Sequence, residues 1–366
     1  MSSKVRIAIV VNGGVDVGHE GQGVPSLVAL LKELDAVADL TIYTLSKPTT
    51  SSELHVKYVP GYSKLKYVSL MMLFIFDHLK SRYDVIHAFW GLPAGLLATL
   101  VARIFSIASV VTLMGGETAN LPAVGYGALR TKKGRKTVFK LLQSATRVVA
   151  ISEYQKEFLQ AAGYHEFFNF EVIPFGVQDQ GVSQRTAKEP FVLVKVANIN
   201  LVKDHLTLLK AFQLVLKKIP VQLLIIGGDF INNEVHKYVE MEGLSQFVTF
   251  TGIVNNQEAL DFIKRSDLMV VSSLSEGQSV VFCEAMAQGL PVCGTNVGLL
   301  KDLSGYSCLT CDTQDFQAMA RNIEEVLTNT SLYQQLSNNG LEWTKKNDLP
   351  TTASKYMKVY QGLVKK

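Results

Sequence analysis

Residues 268–292 read LMVVSSLSEGQSVVFCEAMAQGLPV. The apolar run from Leu268 to Ser272 has the length of a buried strand. Ser275 and Gly277 supply turn chemistry, and Val280, Val281, Cys283, Glu284 and Met286 lead into a helix that ends at Gly289 and Pro291. Glu276 falls in the loop ahead of the helix, and Glu284 about a turn further in. A helix start carries unpaired N–H groups and partial positive charge, so a phosphate docks there readily. Carboxylates on either side of that phosphate can accept hydrogen bonds from hydroxyl-rich groups. A sugar nucleotide has that form, a diphosphate with a sugar at one end and a ribose at the other. Taken alone, the same two glutamates would be a loop carboxylate and an early-helix carboxylate that complements the dipole.

The rest of the chain repeats the pattern. VRIAIVV (5–11) is a strand that breaks into Asn12-Gly13-Gly14, with a helix expected from Val24. DVIHAFWGLPAGLLATLVARIF (84–105) reads as strand, turn and helix, SVVTLMGGE (109–117) as a strand entering glycines, and TRVVAISEYQKEFLQAAG (146–163) as strand and helix. In the second half, FVLVKVANINLVKDHLTLLKAF (191–212) has a strand, a loop with Lys203 and a helix, followed by strands in VQLLIIGGD, FVTFTGIV and DLMVVSS. Strands alternating with helices predict parallel sheets covered on both faces. The Gly13-Gly14 pair lacks the Gly-x-Gly-x-x-Gly fingerprint, and neither it nor the acidic residue expected about 20 positions on is found in convincing form, which argues against a nicotinamide-dependent dehydrogenase.

Glu276, Glu284, Ala285, Ala287, Gly289, Pro291 and Val292 together resemble the signature of the retaining glycosyltransferases of family 4. VIPFGV (172–177) is similar to the segment that closes that family's N-terminal domain, and the resemblance covers nearly the full length. It implies two Rossmann-like doubly wound domains facing across a cleft, the GT-B architecture, with a C-terminal helix returning to the first domain. It also implies roles. Glu276 would meet the donor sugar and Glu284 the ribose, Lys203 would neutralise the diphosphate, and Gly277, Gln278, Ser279, Val280 and Val281 would bind phosphate. Asn198, which replaces a common Arg, and Val254 complete the expected donor site. Acceptor contacts are expected from Gly13, Gly14, His19, Glu20, His87, Gly115, Gly116 and Glu117. Met114 stands where many relatives have His, and a thioether cannot move a proton.

With 366 residues, 48% hydrophobic and 19% charged, the chain can build two cores. The polar stretch QDQGVSQRTAKEP (178–190) suggests the junction, giving domains 1–178 and 179–345 and a terminal helix over 346–366, from about Thr351. Cys308 and Cys311 have Cys-x-x-Cys spacing, but without a partner pair or nearby His they favour free thiols over zinc. No cluster of metal ligands is evident in the sequence, so phosphate-binding groups are expected to serve in place of a divalent ion. Met1 leads almost directly into a core strand without a signal peptide, which fits a cytoplasmic protein. No apolar run reaches the roughly 20 residues that span a bilayer. Arg130, Lys132, Lys133, Arg135, Lys136 and Lys140 crowd together beside Tyr126 and Phe139, which reads either as a solvated loop and helix face or as a contact for anionic lipid on the inner face of the plasma membrane. A net charge of +4 does not suggest a nucleic-acid partner.

The function these residues imply is retaining transfer of a sugar from a nucleoside diphosphate, UDP or GDP, to a hydroxyl of a sugar, lipid-linked or small-molecule acceptor in glycoconjugate synthesis. The alternatives are a nucleotide-sugar epimerase of the same architecture and an inactive nucleotide-sugar-binding protein.

Overall fold

The computed structural model describes residues 4–15, 24–47, 53–59, 65–164, 169–178, 180 and 187–364. Two compact units divide the chain, one of residues 1–176 with 349–366, the other Val177–Asp348.

In the first unit the order is β1 (Arg6–Val11), α1 (Pro25–Val37), β2 (Asp39–Thr44), β3 (Val56–Tyr58), α2 (Leu65–Lys80) and β4 (Val85–Phe89). Then come α3 (Leu96–Phe105), β5 (Ala108–Thr112), α4 (Lys132–Ser144), β6 (Arg147–Ala150), α5 (Glu153–Leu159) and β7 (Phe170–Val172). The seven strands are parallel in the order β3-β2-β1-β4-β5-β6-β7. Alternate residues of β1 serve two cores, as the period of a strand requires. Ile7 and Ile9 pack with Leu27 and Leu30 of α1, while Ala8 and Val10 pack with Leu70 and Phe74 of α2 and Ala98 of α3.

The second unit runs β8 (Phe191–Val196), α6 (His205–Leu216), β9 (Val221–Ile226), α7 (Glu234–Met241), β10 (Val248–Gly252), α8 (Asn256–Arg265) and β11 (Leu268–Val271). It continues with α9 (Val280–Ala287), β12 (Val292–Thr295), α10 (Leu299–Asp302), β13 (Cys308–Cys311), α11 (Phe316–Thr328) and α12 (Thr330–Lys346). Its six parallel strands have the order β10-β9-β8-β11-β12-β13. Cys308 and Cys311 lie an odd number of positions apart on β13 and enter different cores, with Cys308 bonding to the Leu300 carbonyl and Cys311 to that of Gly294. Opposite faces of one strand cannot present them to one ion.

The last helix, α13 (Leu349–Leu363), belongs to the first unit, where Tyr356 and Tyr360 pack among the α1 and β1 side chains. It begins two residues before the position expected from Pro350, because Pro fits the first helical turn, where its missing N–H has no intrahelical partner to lose.

Each sheet has one point where the strand order reverses, between β1 and β4 and between β8 and β11. Loops leaving neighbouring strands there diverge to opposite faces and leave a crevice at the C-terminal ends of the strands.

Candidate donor site at the β8–β11 switch point

The loop after β8 carries Asn200, whose side chain accepts from the amides of Val202 and Lys203 and so winds a single 3-10 turn. Asp204 follows with φ of 42° and caps α6 by accepting from the Thr207 amide at 3.2 Å. That places Lys203 beside the loop after β11. Its Nζ lies 2.6 Å from Oε1 of Glu276, and Ser273 Oγ donates to the same oxygen at 2.7 Å. Oε2 of Glu276 accepts no bond from a described residue, so one face of the carboxylate stays open.

Helix α9 starts after Ser279, held at φ of 67°, and no side chain caps it. The Phe282 and Cys283 amides bond the Ser279 carbonyl, which leaves the amides of Val280 and Val281 as the ones that could meet an anion. Glu284 sits one turn on, half-buried and with no hydrogen-bond partner among the described residues; burial pushes its carboxyl up to about 7. Gln278 is buried and donates to Cys283 Sγ at 3.1 Å, bracing the loop from within. Gly298 closes the loop from the β12 side. A Cβ there would stand 2.7 Å from the Gly277 carbonyl and 2.9 Å from that of Glu276, and its φ is 57°. Only glycine meets both conditions without displacing the loop. Asn198 is exposed and accepts from the Gly228 amide at 3.0 Å, while Val254 is half-buried against the core behind α9.

Beneath the pair lies Lys195, a residue the sequence pattern does not single out. It is almost wholly buried on β8, and its Nζ donates to the Lys203 carbonyl at 2.9 Å and to Ser272 Oγ at 2.8 Å. Ser272 Oγ in turn donates to the carbonyl of Asp204 at 2.8 Å. Burial above all, with the Lys203 charge adding, pulls Lys195 down to about 7. The same buried and cationic surroundings pull His205, at the start of α6, down to about 2 and keep it neutral. A lysine within an otherwise apolar strand, FVLVKV, was the available signal.

In the first unit, Gly13 and Gly14 follow β1, and Gly115 and Gly116 follow β5, at the same edge of the sheet. Asn12, also absent from the sequence expectations, ties the β1 loop to the loop after β4. It donates to the Leu92 carbonyl at 2.9 Å and accepts from the Ala94 amide at 3.2 Å. Glu117 does the same from β5, accepting from the amides of Gly91 at 2.6 Å and Gly115 at 3.1 Å. It is buried, and burial raises its pKa. His87 is likewise enclosed, in the middle of β4 rather than at its open end. Its Nδ1 is 2.6 Å from the Tyr360 hydroxyl and its Nε2 2.8 Å from Thr112 Oγ1, and burial lowers its pKa to about 3. Glu117 and His87 are thus both buried and bonded within the first unit. His19 and Glu20 lie outside the described residues.

Two parallel α/β sheets, each with a switch-point crevice, have the GT-B fold of glycosyltransferases. The chain belongs to glycosyltransferase family 4: residues 25–180 match Glycosyltransferase Family 4, and residues 178–343 match Glycosyl transferases group 1. It is 23% identical to an uncharacterized glycosyltransferase of Methanocaldococcus jannaschii over 76% of each chain. It is 25% identical to an Escherichia coli UDP-Gal:alpha-D-GlcNAc-diphosphoundecaprenol alpha-1,3-galactosyltransferase, over 63% of this chain and 60% of that one. Among solved structures, sucrose-phosphate synthase of Thermosynechococcus elongatus superposes with a TM-score of 0.79 at 21% identity, covering 98% of this chain and 99% of that one. Anabaena HepE, crystallised with UDP, superposes at 0.78 with 17% identity, covering 98% and 100%.

Proposed function

We propose that the protein transfers a sugar from a nucleoside diphosphate, UDP or GDP, to a hydroxyl acceptor with retention of configuration, without a metal ion. The observation that carries this reading is the Lys203–Glu276 pair, 2.6 Å apart beside the uncapped start of α9. Lys203 and the amides of Val280 and Val281 bind the diphosphate. Glu284, raised to about 7 by burial, ionises fully when ribose hydroxyls donate to it. Glu276 holds the sugar through its open oxygen.

In the transfer, the bond from the sugar's anomeric carbon to the diphosphate oxygen breaks and one to the acceptor oxygen forms on the same face. The departing phosphate oxygen takes the acceptor proton, so no side-chain base is required. Negative charge grows on the diphosphate, and preorganised donors there lower the barrier most.

Acceptor binding falls to Gly13, Gly14, Gly115 and Gly116 and to His19 and Glu20. The diphosphoundecaprenol-linked substrate named for the Escherichia coli relative supports a lipid-linked sugar as acceptor, in polysaccharide or glycolipid synthesis. The basic cluster Arg130–Lys140 supports peripheral attachment to the cytoplasmic face of an anionic membrane, since no helix among the described residues is long and apolar enough to cross one.

The test is transfer from UDP- and GDP-sugars to lipid-linked acceptors, with the product's anomeric configuration read by NMR in the presence of a chelator. An α-linked product from an α-linked donor, formed undiminished with chelator, is the expected result. An inverted product, or turnover that needs added divalent ion, overturns the corresponding part.

A further inference from the structure

Helix α2 is apolar on two opposite faces. Leu70 and Phe74 point inward to the core of the first unit. On the other side Leu65, Val68, Met72, Phe76 and Leu79 follow one another at spacings of three and four and are 70%, 51%, 57%, 67% and 72% exposed. Residues at those spacings share one stripe of a helix. The outer face of a helix on a water-soluble fold is ordinarily polar, and a contiguous apolar patch marks a surface that meets something. Leu100 and Ile104 extend the patch onto the adjoining helix α3, where they are also exposed.

Charge around the patch selects the partner. From His78 to Ser152 the sequence has only Asp84 and Glu117 as acids, and Glu117 is buried. Lys80, Arg103, Lys132, Lys133, Lys136 and Lys140 are exposed on α2, α3 and α4. Asp77, the one acid within α2, is held by Lys57 at 2.7 Å and the Tyr43 hydroxyl at 2.6 Å. A second copy docking through the same face would set these like charges against each other. An anionic lipid surface pairs with the cations and has an apolar layer directly beneath its headgroups to take the stripe.

We propose that α2 is an insertion helix, which lies in the interface plane of an anionic membrane with Leu65, Val68, Met72, Phe76 and Leu79 among the acyl chains while the α4 lysines meet the headgroups. This rests on the membrane-facing role given above to the Arg130–Lys140 cluster and adds the element that enters the bilayer.

The test is co-sedimentation of the full chain with vesicles of phosphatidylcholine alone and of phosphatidylcholine with an equal part of phosphatidylglycerol. Wild type should bind only the anionic vesicles, and M72E/F76E should bind them about tenfold or more weakly, as should K132Q/K133Q/K136Q. F76W, compared with wild type, should gain blue-shifted emission on anionic vesicles, and this reads insertion without relying on the acidic variant's folding. If M72E/F76E binds like wild type, or F76W shows no shift, while K132Q/K133Q/K136Q loses binding, insertion fails and the basic-cluster role stands. If wild type does not bind anionic vesicles, both fail. If wild type is a dimer without lipid and M72E/F76E is a monomer, the stripe belongs to a second copy and the proposal is wrong.

Discussion

Lys203 Nζ and Glu276 Oε1 stand 2.6 Å apart although 73 positions separate them in the chain. Each comes from the C-terminal end of a strand at the point where the order of the six-stranded sheet reverses. The pair is part-exposed, with Glu276 the more enclosed partner, so the attraction organises the site rather than stabilising the fold. A bound diphosphate would compete with Glu276 for Lys203 and free the carboxylate for a sugar hydroxyl.

Different losses should therefore follow from the two carboxylates. Glu284→Gln should weaken nucleoside diphosphate and donor sugar alike, since the ribose is common to both. Glu276→Gln should leave free nucleoside diphosphate binding unchanged and lower turnover. Calorimetric titration of both variants checks this, and equal losses of nucleotide affinity would refute the division.

Glu284 also carries a pH signature. Its folded pKa of about 7 lies above the 4.5 of an unperturbed carboxyl. The folded state therefore holds this proton more tightly than the unfolded chain. Its favourable contribution is complete below about 4.5 and is lost as pH rises through about 7. Glu284→Gln removes the buried charge, so the variant should be more stable than wild type at pH 8 by about 1–3 kcal/mol and little different at pH 4.5. Urea unfolding of both proteins without ligand at the two pH values measures it; an equal difference at both would rule out the buried charge as its cause.

Turnover should depend on phosphate neutralisation more than on any candidate base. With saturating donor, Lys203→Ala should slow transfer by more than about a hundredfold. Glu117→Gln should lose less, and His87→Ala should chiefly cost stability, about 2–4 kcal/mol, by leaving a cavity and an orphaned Tyr360 hydroxyl, while Thr112 keeps its bond to Tyr356. Single-turnover rates decide between them. A loss above about a hundredfold for Glu117→Gln, with Lys203→Ala milder, would restore a side-chain base.

Lys195→Met tests the clamp beneath the site. Replacing a buried charge by an apolar side chain of similar length is often tolerated in stability. Without the ammonium, however, the Lys203 carbonyl keeps only a share of the Ser272 Oγ proton, at 3.1 Å, since the same hydroxyl donates to the Asp204 carbonyl at 2.8 Å. Near-unchanged thermal unfolding with kcat reduced about tenfold or more is the expected outcome, because small displacements of a positioned group are costly. Unchanged kcat would mean that Ser272 alone holds the turn.

Gly298→Ala should act on the same loop from the other side. Its Cβ would press on the carbonyls of Glu276 and Gly277 and occupy a left-handed backbone position. Donor affinity should fall more than acceptor affinity, read by titrating each separately.

The sequence by itself determined the fold class and the donor loop. Apolar runs such as RIAIVV and LMVV, each followed by a helical pattern, require crossover connections and hence parallel sheets. SEGQSVVFCEAMAQGLP carries its strand end, turn and helix stop within one short segment, so Glu276 and Glu284 could be placed without knowing any distant neighbour. Local periodicity reports which elements form, not which ends of them meet. The tertiary structure alone decided that Lys195 reaches Ser272, 77 positions away, and that Gly298 lies against Gly277. It also decided that His87 bonds Tyr360 of the terminal helix. The exposed stripe of α2 was hidden for the same reason: its residues are as apolar as the core, and only the packing of its other face onto the sheet shows which ones are left outside.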